Sequence, residues 1–263
     1  MSKTVIVTGG SSGIGYETAK ALSGAGCTVY EFSRRENKAP FVRHMRVDVT
    51  DETRVQEAVK EVYEKEGQID ILVNNAGFGI SGAAEFTENA DIKRLMEVNL
   101  YGTVNVTKAV IPYMRKAQKG RIVCISSVAA MASIPFQTWY SVSKASINAY
   151  VNALANELKP FHISVCAVMP GDIKTGFTGA REKSVLGDDV YSGRISRSVA
   201  KMEHDETNGM SADKAGRYIA HIAMKKSVKP LYAIGFVYKL ICFLLLVLPC
   251  RLKNFIIGKM YAG

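Results

Sequence analysis

A tyrosine and a lysine lie four residues apart in the stretch TWYSVSKAS, which runs from Thr138 to Ser146. On a helix, positions i and i+4 share one face, so Tyr140 and Lys144 can be held as a pair. A free phenol has a pKa of about 10, but a neighbouring ammonium group favours the phenolate and lowers that pKa. A phenol tuned in this way can pass a proton at neutral pH. The same spacing is common on ordinary surface helices, however, and taken alone it favours that interpretation.

A glycine-rich turn, TGGSSGIG, runs from Thr8 to Gly15 between an apolar run and a helical pattern. Its glycines let the backbone turn tightly and approach a pyrophosphate, and the helix that follows presents free N–H groups. The spacing is GxxxGxG, which differs from the GxGxxG fingerprint. Because the turn closes the first strand of a βαβ unit, it favours a dinucleotide site over an ordinary strand–helix turn.

The end of the second strand should lie near the adenosine ribose of that dinucleotide, where an acid would bind the 2′-hydroxyl of NAD. The sequence there is EFSRRE, which places Ser33, Arg34 and Arg35 at the strand end. Two guanidinium groups can instead hold a 2′-phosphate through charge-assisted hydrogen bonds. We therefore expect NADP(H). The alternatives are a solvated loop and a register in which Glu31 reaches the ribose.

Short β-branched runs alternate with longer stretches of helical periodicity along most of the chain. The predicted strands are 4–9, 27–33, 44–49, 69–77, 120–127, 163–171 and 229–235, and the clearest helices are Tyr16–Gly24, Glu52–Glu66, Ala90–Lys116 and Ser141–Leu158. Continuously apolar strands between helices indicate a parallel sheet that is covered on both faces. We expect a single Rossmann-like α/β domain with a doubly wound parallel sheet of about seven strands.

Two segments depart from this alternation. Residues 176–213 are polar, contain glycine and lack a strand signal, so we predict a mobile loop with short helices inserted into the catalytic domain, residues 1–235. Residues 236–263 form a hydrophobic and basic tail that we predict to be helical. Its longest apolar run, Leu240–Leu248, ends at Pro249 and is well short of the roughly 18–20 residues that a spanning helix needs.

The composition of the chain limits which cellular compartment and which partners we expect. The 263 residues are 48% hydrophobic and carry a net charge of +10, but the basic residues are dispersed, so we expect no nucleic-acid partner. Five cysteines have no paired spacing, which predicts reduced thiols and no metal site. The N-terminal apolar run is too short for a secretory signal. These features predict a cytoplasmic protein.

Taken together, the motifs resemble the short-chain dehydrogenase/reductase family over roughly residues 4–235. The matching elements are TGGSSGIG, DVT at 48–50, NNAG at 74–77, VNLYG with Asn99, ISS ending at Ser127, Tyr140 with Lys144, and PGDIKT at 170–175. Tyr140 follows Ser127 by thirteen positions, which is the family's separation. Because order and spacing agree jointly, the resemblance outweighs the reading of Tyr140 and Lys144 as an ordinary surface pair.

The resemblance implies a role for each residue. Tyr140 would be the general acid in ketone reduction and the base in alcohol oxidation, and Ser127 would bind the substrate oxygen. Lys144 would hold the nicotinamide ribose and lower the Tyr140 pKa, while Asn99 would support a water in a proton relay. The implied cofactor residues are Gly9, Ser11, Ser12, Gly13, Ile14, Gly15, Ser33, Arg34, Arg35, Asp48, Val49, Asn75, Ala76, Gly77, Tyr140, Lys144, Pro170, Gly171, Ile173 and Thr175.

The substrate is expected to be hydrophobic. The predicted pocket contains Ser127, Tyr140, Met169 and Phe177, with residues 129–136, Val185, Leu186 and Tyr191 as further candidates. The tail and the loop before it resemble the branch with 17β-hydroxysteroid and retinol-type dehydrogenases, which favours a hydroxysteroid or bile acid. A 3-oxoacyl or retinol-type carbonyl reductase is the alternative, and an NADP(H)-sensing interaction protein is the non-enzyme alternative.

The apolar side of the tail is expected to pack against another surface, because an apolar helix of this length would otherwise be an exposed patch. We rank the substrate cleft or a subunit contact in a homodimer or homotetramer first. Peripheral contact of residues 236–263 with a membrane surface ranks second.

Overall fold

The computed structural model describes residues 2–263, and its centre is a parallel sheet of seven strands. The strands of this sheet are β1 (Thr4–Thr8), β2 (Thr28–Ser33), β3 (Arg43–Arg46), β4 (Ile71–Asn74), β6 (Gly120–Ile125), β7 (Ile163–Met169) and β11 (Leu231–Ala233). Four short strands form two separate pairs: β5 (Ile80–Ser81) with β9 (Glu182–Lys183), and β8 (Ile173–Lys174) with β10 (Met210–Ser211).

Helices follow most of the strands. They are α1 (Gly13–Gly24), α2 (Glu52–Glu66), α3 (Asn89–Met96), α4 (Gly102–Lys116), α5 (Ala129–Ala132), α6 (Thr138–Glu157), α7 (Phe177–Ala180), α8 (Arg194–Thr207), α9 (Ala212–Met224), α10 (Phe236–Val247) and α11 (Cys250–Tyr261). A π-helical turn, Glu97–Tyr101, joins α3 to α4, and two short 3₁₀ turns lie at Ala84–Phe86 and Lys159–Phe161.

The strand order in the sheet is β11-β7-β6-β4-β1-β2-β3. The chain winds outward from β1 in one direction through β2 and β3 and then in the other from β4 onward. The order therefore reverses between β1 and β4, and the carboxyl ends of those two strands form the crevice in which open α/β sheets bind ligands.

Helices cover both faces of the sheet, and both faces are accordingly apolar. Side chains alternate along a strand, so Ile6 packs in one core cluster and its neighbours Val5 and Val7 pack in the other. Helices α2, α4 and α6 cover the first face, and α1 and α9 cover the second. The predicted doubly wound parallel sheet is thus confirmed.

Some predicted bounds were wrong. The third strand ends at Arg46 rather than at residue 49, and the helix expected over 90–116 is interrupted by the π-helical turn. The inserted segment 176–213 is also more regular than expected. It contains the fourteen-residue helix α8, because Ile195, Val199 and Met202 give that helix a buried apolar face.

The tail forms two helices rather than one. Helix α10 ends at Val247 and α11 begins at Cys250, with Pro249 between them. A proline has no N–H to donate and disfavours helical geometry in the residue before it, so the break falls where the sequence requires it. No helix within residues 2–263 is long and apolar enough to cross a membrane.

Candidate active site

A cavity of about 870 Å³ lies along the carboxyl ends of the central strands. Its walls include nineteen of the twenty predicted cofactor residues, all except Gly15, and three of the four predicted substrate residues, all except Met169. The sequence motifs, which are up to 167 residues apart between Thr8 and Thr175, therefore converge on one place.

Tyr140 and Lys144 lie in the first two turns of α6, and both line this cavity. The Lys144 ammonium is 5.7 Å from the centre of the Tyr140 ring, and its Nζ donates to the backbone carbonyl of Ile125 at 2.9 Å. Ser126 holds the helix in place, because its hydroxyl donates to the backbone carbonyl of Lys144 at 3.0 Å. Ile125, the last residue of β6, and Ser126 after it thus hold Lys144 through its ammonium group and its backbone carbonyl.

The titration properties of the pair differ from the sequence-based expectation. Burial raises the pKa of Tyr140 to about 12, while the Ser127 hydroxyl and the Arg181 charge act in the opposite direction. Burial also lowers the pKa of Lys144 to about 8. The pKa of Tyr140 is thus raised overall, because desolvation outweighs the groups that favour the phenolate. The expected influence of Lys144 on this pKa stays a prediction.

Asn99 sits in the π-helical turn and does not line the cavity. Its side chain accepts from the backbone N–H of Phe78 at 3.0 Å and donates to the carbonyl of the same residue at 3.0 Å. It also donates to the Ser143 hydroxyl at 3.0 Å, one residue before Lys144. Asn99 therefore ties the NNAG turn to α6, and a π-helical turn at such a place is typical of functional sites.

The glycine-rich turn fits a pyrophosphate. Gly9 has φ +64° and Gly13 has φ +58°, which are conformations that favour glycine. A Cβ on Gly9 would lie 2.8 Å from the Cα of Ala76, whereas one on Gly13 would project into space near Thr175, 3.6 Å away. Gly15 does not reach the cavity. Its Cβ would lie 2.3 Å from the Asn75 amide, so it allows α1 to pack closely against the NNAG turn.

The end of β2 presents two guanidinium groups to the cavity. Arg34 and Arg35 are exposed and line it, and Arg35 also donates to the Ser12 hydroxyl at 3.3 Å. Glu31 points elsewhere: it is fully buried, lies under Gly10 and contacts the His44 ring at 2.7 Å. The alternative register in which Glu31 reaches the ribose position is therefore wrong.

Several predicted pocket residues lie outside the cavity. Met169 is 3% exposed and packs among Val128, Ala233 and Cys242, because it points into the core at the end of β7. Val185 and Leu186 are each 59% exposed and line no part of the cavity. Tyr191 stacks edge-on against Phe136 at 5.5 Å.

Phe136 itself also faces away from the cavity, toward that tyrosine. From the predicted range 129–136, Ala129, Ala132 and Ile134 reach the wall. Phe177 lies beside the candidate catalytic phenol, with its ring centre 5.8 Å from that of Tyr140.

The sequence-based prediction missed several polar residues in and beside the cavity. Tyr238 of α10 covers Gly171, donates to the Asp172 carboxylate and accepts from the Asp172 N–H at 3.0 Å. Glu206 of α8 lines the cavity, pairs with the buried Arg181 and accepts from the Thr178 hydroxyl at 2.6 Å. A lone tyrosine at the start of an apolar tail was the one signal that could have pointed to Tyr238.

The far wall of the cavity comes from the tail. The lining residues of α10, α11 and their junction are Tyr238, Ile241, Leu244, Leu245, Leu248, Lys253, Ile256, Ile257, Met260 and Tyr261. The inner apolar face of the tail therefore lies against the cleft. A subunit contact, which was ranked first together with the cleft, stays a prediction.

Comparison with known proteins agrees with this geometry. A sequence profile of the short chain dehydrogenases matches residues 3–185. The 3-ketodihydrosphingosine reductase of Bacteroides thetaiotaomicron is 42% identical over 226 residues, which cover 85% of this chain and 84% of that protein. The chain therefore belongs to the short-chain dehydrogenase/reductase family and is an oxidoreductase of that family.

Solved structures agree with the assignment. A short-chain dehydrogenase from Streptomyces avermitilis has a TM-score of 0.86 and 28% identity, covering 98% of this chain and 96% of that one. The 3-ketoacyl-(acyl-carrier-protein) reductase of Brucella melitensis, complexed with NADH, has a TM-score of 0.74 and 25% identity, covering 88% of this chain and 96% of that one. Nicotinamide dinucleotides are thus the cofactor class of this fold.

Proposed function

We propose that this protein is an NADP(H)-dependent oxidoreductase that interconverts a ketone and a secondary alcohol on an amphiphilic lipid. One observation carries the proposal: the phenol of Tyr140 opens into the same cavity as the apolar inner face of α10 and α11. When the substrate's carbonyl group lies at the phenol, its hydrocarbon chain can therefore contact the apolar wall of the cavity.

The proton chemistry follows from the pKa values. When bound, the nicotinamide supplies or accepts the hydride. With a pKa of about 12, Tyr140 is protonated at neutral pH and can donate its proton to the ketone oxygen while Ser127 donates a hydrogen bond to it. Proton donation leaves a phenolate at Tyr140, and the Lys144 ammonium group, 5.7 Å from the centre of that ring, offsets its negative charge. The reverse reaction, alcohol oxidation, begins from the phenolate, which accepts the proton of the alcohol.

The preference for NADP(H) rests on the chain's own residues, since a relative of the same fold holds NADH. Arg34 and Arg35 supply positive charge at the ribose end of the cavity, and the acid of the same strand, Glu31, is buried beneath Gly10. A 2′-phosphate would gain two charge-assisted partners there, whereas a 2′-hydroxyl would find no carboxylate among the lining residues of β2.

The substrate class combines a polar head with an apolar chain. Apolar side chains of the tail form one wall, while the carboxylates of Asp172 and Glu206 line the cavity and suit a head group that donates hydrogen bonds. The 42% identity to a 3-ketodihydrosphingosine reductase supports a lipid ketone. We therefore place a long-chain lipid ketone first.

A hydroxysteroid or bile acid is the second candidate. Lys253 lines the cavity, and its ammonium group donates to the backbone carbonyl of Leu245 at 3.0 Å. A cation at an apolar wall suits a bile acid carboxylate. The 3-oxoacyl alternative is supported by the likeness to the Brucella melitensis reductase.

A panel of ketones assayed with NADPH separates these candidates. We expect kcat/KM for a long-chain lipid ketone to exceed that for keto-bile acids and for 3-oxoacyl thioesters by at least about tenfold, which corresponds to roughly 1.4 kcal/mol of differential binding. A preference for the steroids would contradict the substrate class. No turnover of any ketone would favour the NADP(H)-sensing interaction protein.

Two variants of α10 show whether the tail contacts the substrate. Ile241→Ala removes a cavity-lining side chain and should raise KM for the long-chain ketone by about tenfold, with little change for a small ketone. Leu246→Ala is the matched control, because Leu246 lies on the same helix, is 73% exposed and lines no part of the cavity. The lipid is supplied as a cyclodextrin complex, so that no membrane is present.

The pH dependence of cofactor use tests the role of Lys144. Its pKa of about 8 lies below the ordinary lysine value, so the ammonium form predominates below pH 8, is half lost at that pH and is lost further as pH rises. We expect kcat/KM for NADPH to be level below pH 8 and to fall about tenfold per pH unit above it. Lys144→Ala should lower the plateau and abolish this break, whereas a break that persists in the variant would assign it to another group.

A further inference from the structure

The tail exposes a second apolar surface on the side away from the cavity. This outer apolar face consists of Phe236, Val237, Leu240, Phe243, Leu246, Val247, Leu252 and Phe255. Phe236 is 81% exposed and Leu246 is 73% exposed, and no member of the face lines the cavity. Contiguous apolar surface of this kind usually marks a site of interaction with a protein or a membrane.

The charged side chains of the tail itself all have one sign. Residues 236–263 contain Lys239, Arg251, Lys253 and Lys259 and no Asp or Glu. Lys253 is used within the fold, where it donates to the end of α10, but the other three side chains are exposed. Lys259 lies 5.4 Å from the centre of the Phe255 ring, so cation and apolar surface are adjacent.

The outer apolar face continues to the mouth of the cavity. Leu244, Ile256 and Met260 line the cavity and are also 40%, 40% and 49% exposed. These three side chains therefore connect the inside of the cleft with the outer surface of the tail. A lipid that leaves a bilayer at this point would remain in contact with apolar side chains.

We propose that the outer apolar face docks on the surface of an anionic lipid bilayer, with α10 and α11 lying in the interface. Amphipathic helices bind in this way when an apolar face enters the headgroup boundary and nearby Lys and Arg residues attract anionic lipids. A second copy of the chain fits less well. A two-fold contact would place the face against itself and bring cations together without any acid of the tail to neutralise them.

Cosedimentation of the full chain with lipid vesicles tests the proposal without any substrate. We expect binding to vesicles of phosphatidylcholine with phosphatidylglycerol, much weaker binding to phosphatidylcholine alone, and release by high salt. Neutralising the three exposed cations together (K239Q, R251Q and K259Q) should weaken partitioning by about fivefold per cation. Phe243→Glu combined with Leu246→Glu should abolish it.

Val185→Glu is the matched control, because Val185 is 59% exposed but lies outside the tail. Its partitioning should equal that of the parent, and all variants should keep NADPH affinity, which shows that they fold. Protein that stays in the supernatant with anionic vesicles overturns the proposal. So does an oligomer that dissociates when Phe243 and Leu246 are replaced, since the face would then be a subunit contact. Binding to vesicles does not depend on the substrate, so it would be unchanged if no ketone of the panel were turned over.

Discussion

The Tyr140→Phe variant is expected to lose about a thousandfold in kcat for ketone reduction while keeping its affinity for NADPH. The substitution removes one oxygen, and with it the proton that must reach the ketone oxygen, and general acid catalysis contributes about 10² to 10⁴ in rate. The phenyl ring keeps the packing against Phe177, so the cavity keeps its shape. Initial rates at saturating cofactor and a fluorescence titration of bound NADPH measure the two quantities.

Tyr150→Phe is the matched control for this variant. Tyr150 lies on the same helix, packs against the core rather than the cavity, and has its pKa raised by burial as Tyr140 does. Removing its oxygen deletes an interaction with Thr107 and should cost stability without lowering kcat by more than about twofold. A Tyr140→Phe enzyme with a tenth or more of the parent rate would show that another group supplies the proton.

The sequence was sufficient to predict the parts of the site that depend on local geometry. Tyr140 and Lys144 are one helical turn apart, and the glycine-rich turn follows directly from the first strand, so spacing alone places these groups. The doubly wound parallel sheet also follows from a regular alternation of apolar runs and helices. Convergence of the motifs on one cavity is then a consequence of the parallel sheet, because the carboxyl ends of its strands share one edge.

Contacts between distant segments could not be predicted in this way. Tyr238 and Asp172 are 66 residues apart, and Arg181 and Glu206 are 25 residues apart on different elements. No local spacing rule connects them. Met169 was misplaced for a related reason: the end of a strand can point to the cleft or to the core, and packing against Val128 and Cys242 decides between them.

The pKa of the phenol depends on the same tertiary information. The sequence showed a cation one turn away from Tyr140 but gave no measure of how far either group is removed from water. In the fold, desolvation is the largest influence on both, and it acts against the charged form of each. The burial that separates the Tyr140 and Lys144 pKa values thus arises from the assembled cavity and not from the Tyr-x-x-x-Lys spacing.

Cofactor preference is expected to reverse when the end of β2 is changed. In the parent, we expect kcat/KM for NADPH to exceed that for NADH, because Arg34 and Arg35 offer charge-assisted hydrogen bonds to a 2′-phosphate, each worth about 1.5–3 kcal/mol. Ser33→Asp combined with Arg34→Gln places a carboxylate at the ribose, which repels the phosphate and accepts from the 2′-hydroxyl. The ratio of the two kcat/KM values should shift toward NADH by about a thousandfold.

Arg46→Gln separates this local effect from a change in overall charge. Arg46 lies opposite Ser33 in the β2–β3 register and is exposed, but it does not line the cavity. Its loss changes the net charge by −1 close to the same strand end, whereas the double variant changes it by −2, so long-range attraction of the phosphorylated cofactor would weaken about half as much in Arg46→Gln. If Arg46→Gln shifts the logarithm of the ratio by half as much as the double variant does, the preference comes from the general field of the protein. A parent enzyme that already prefers NADH would exclude a 2′-phosphate site at Arg34 and Arg35.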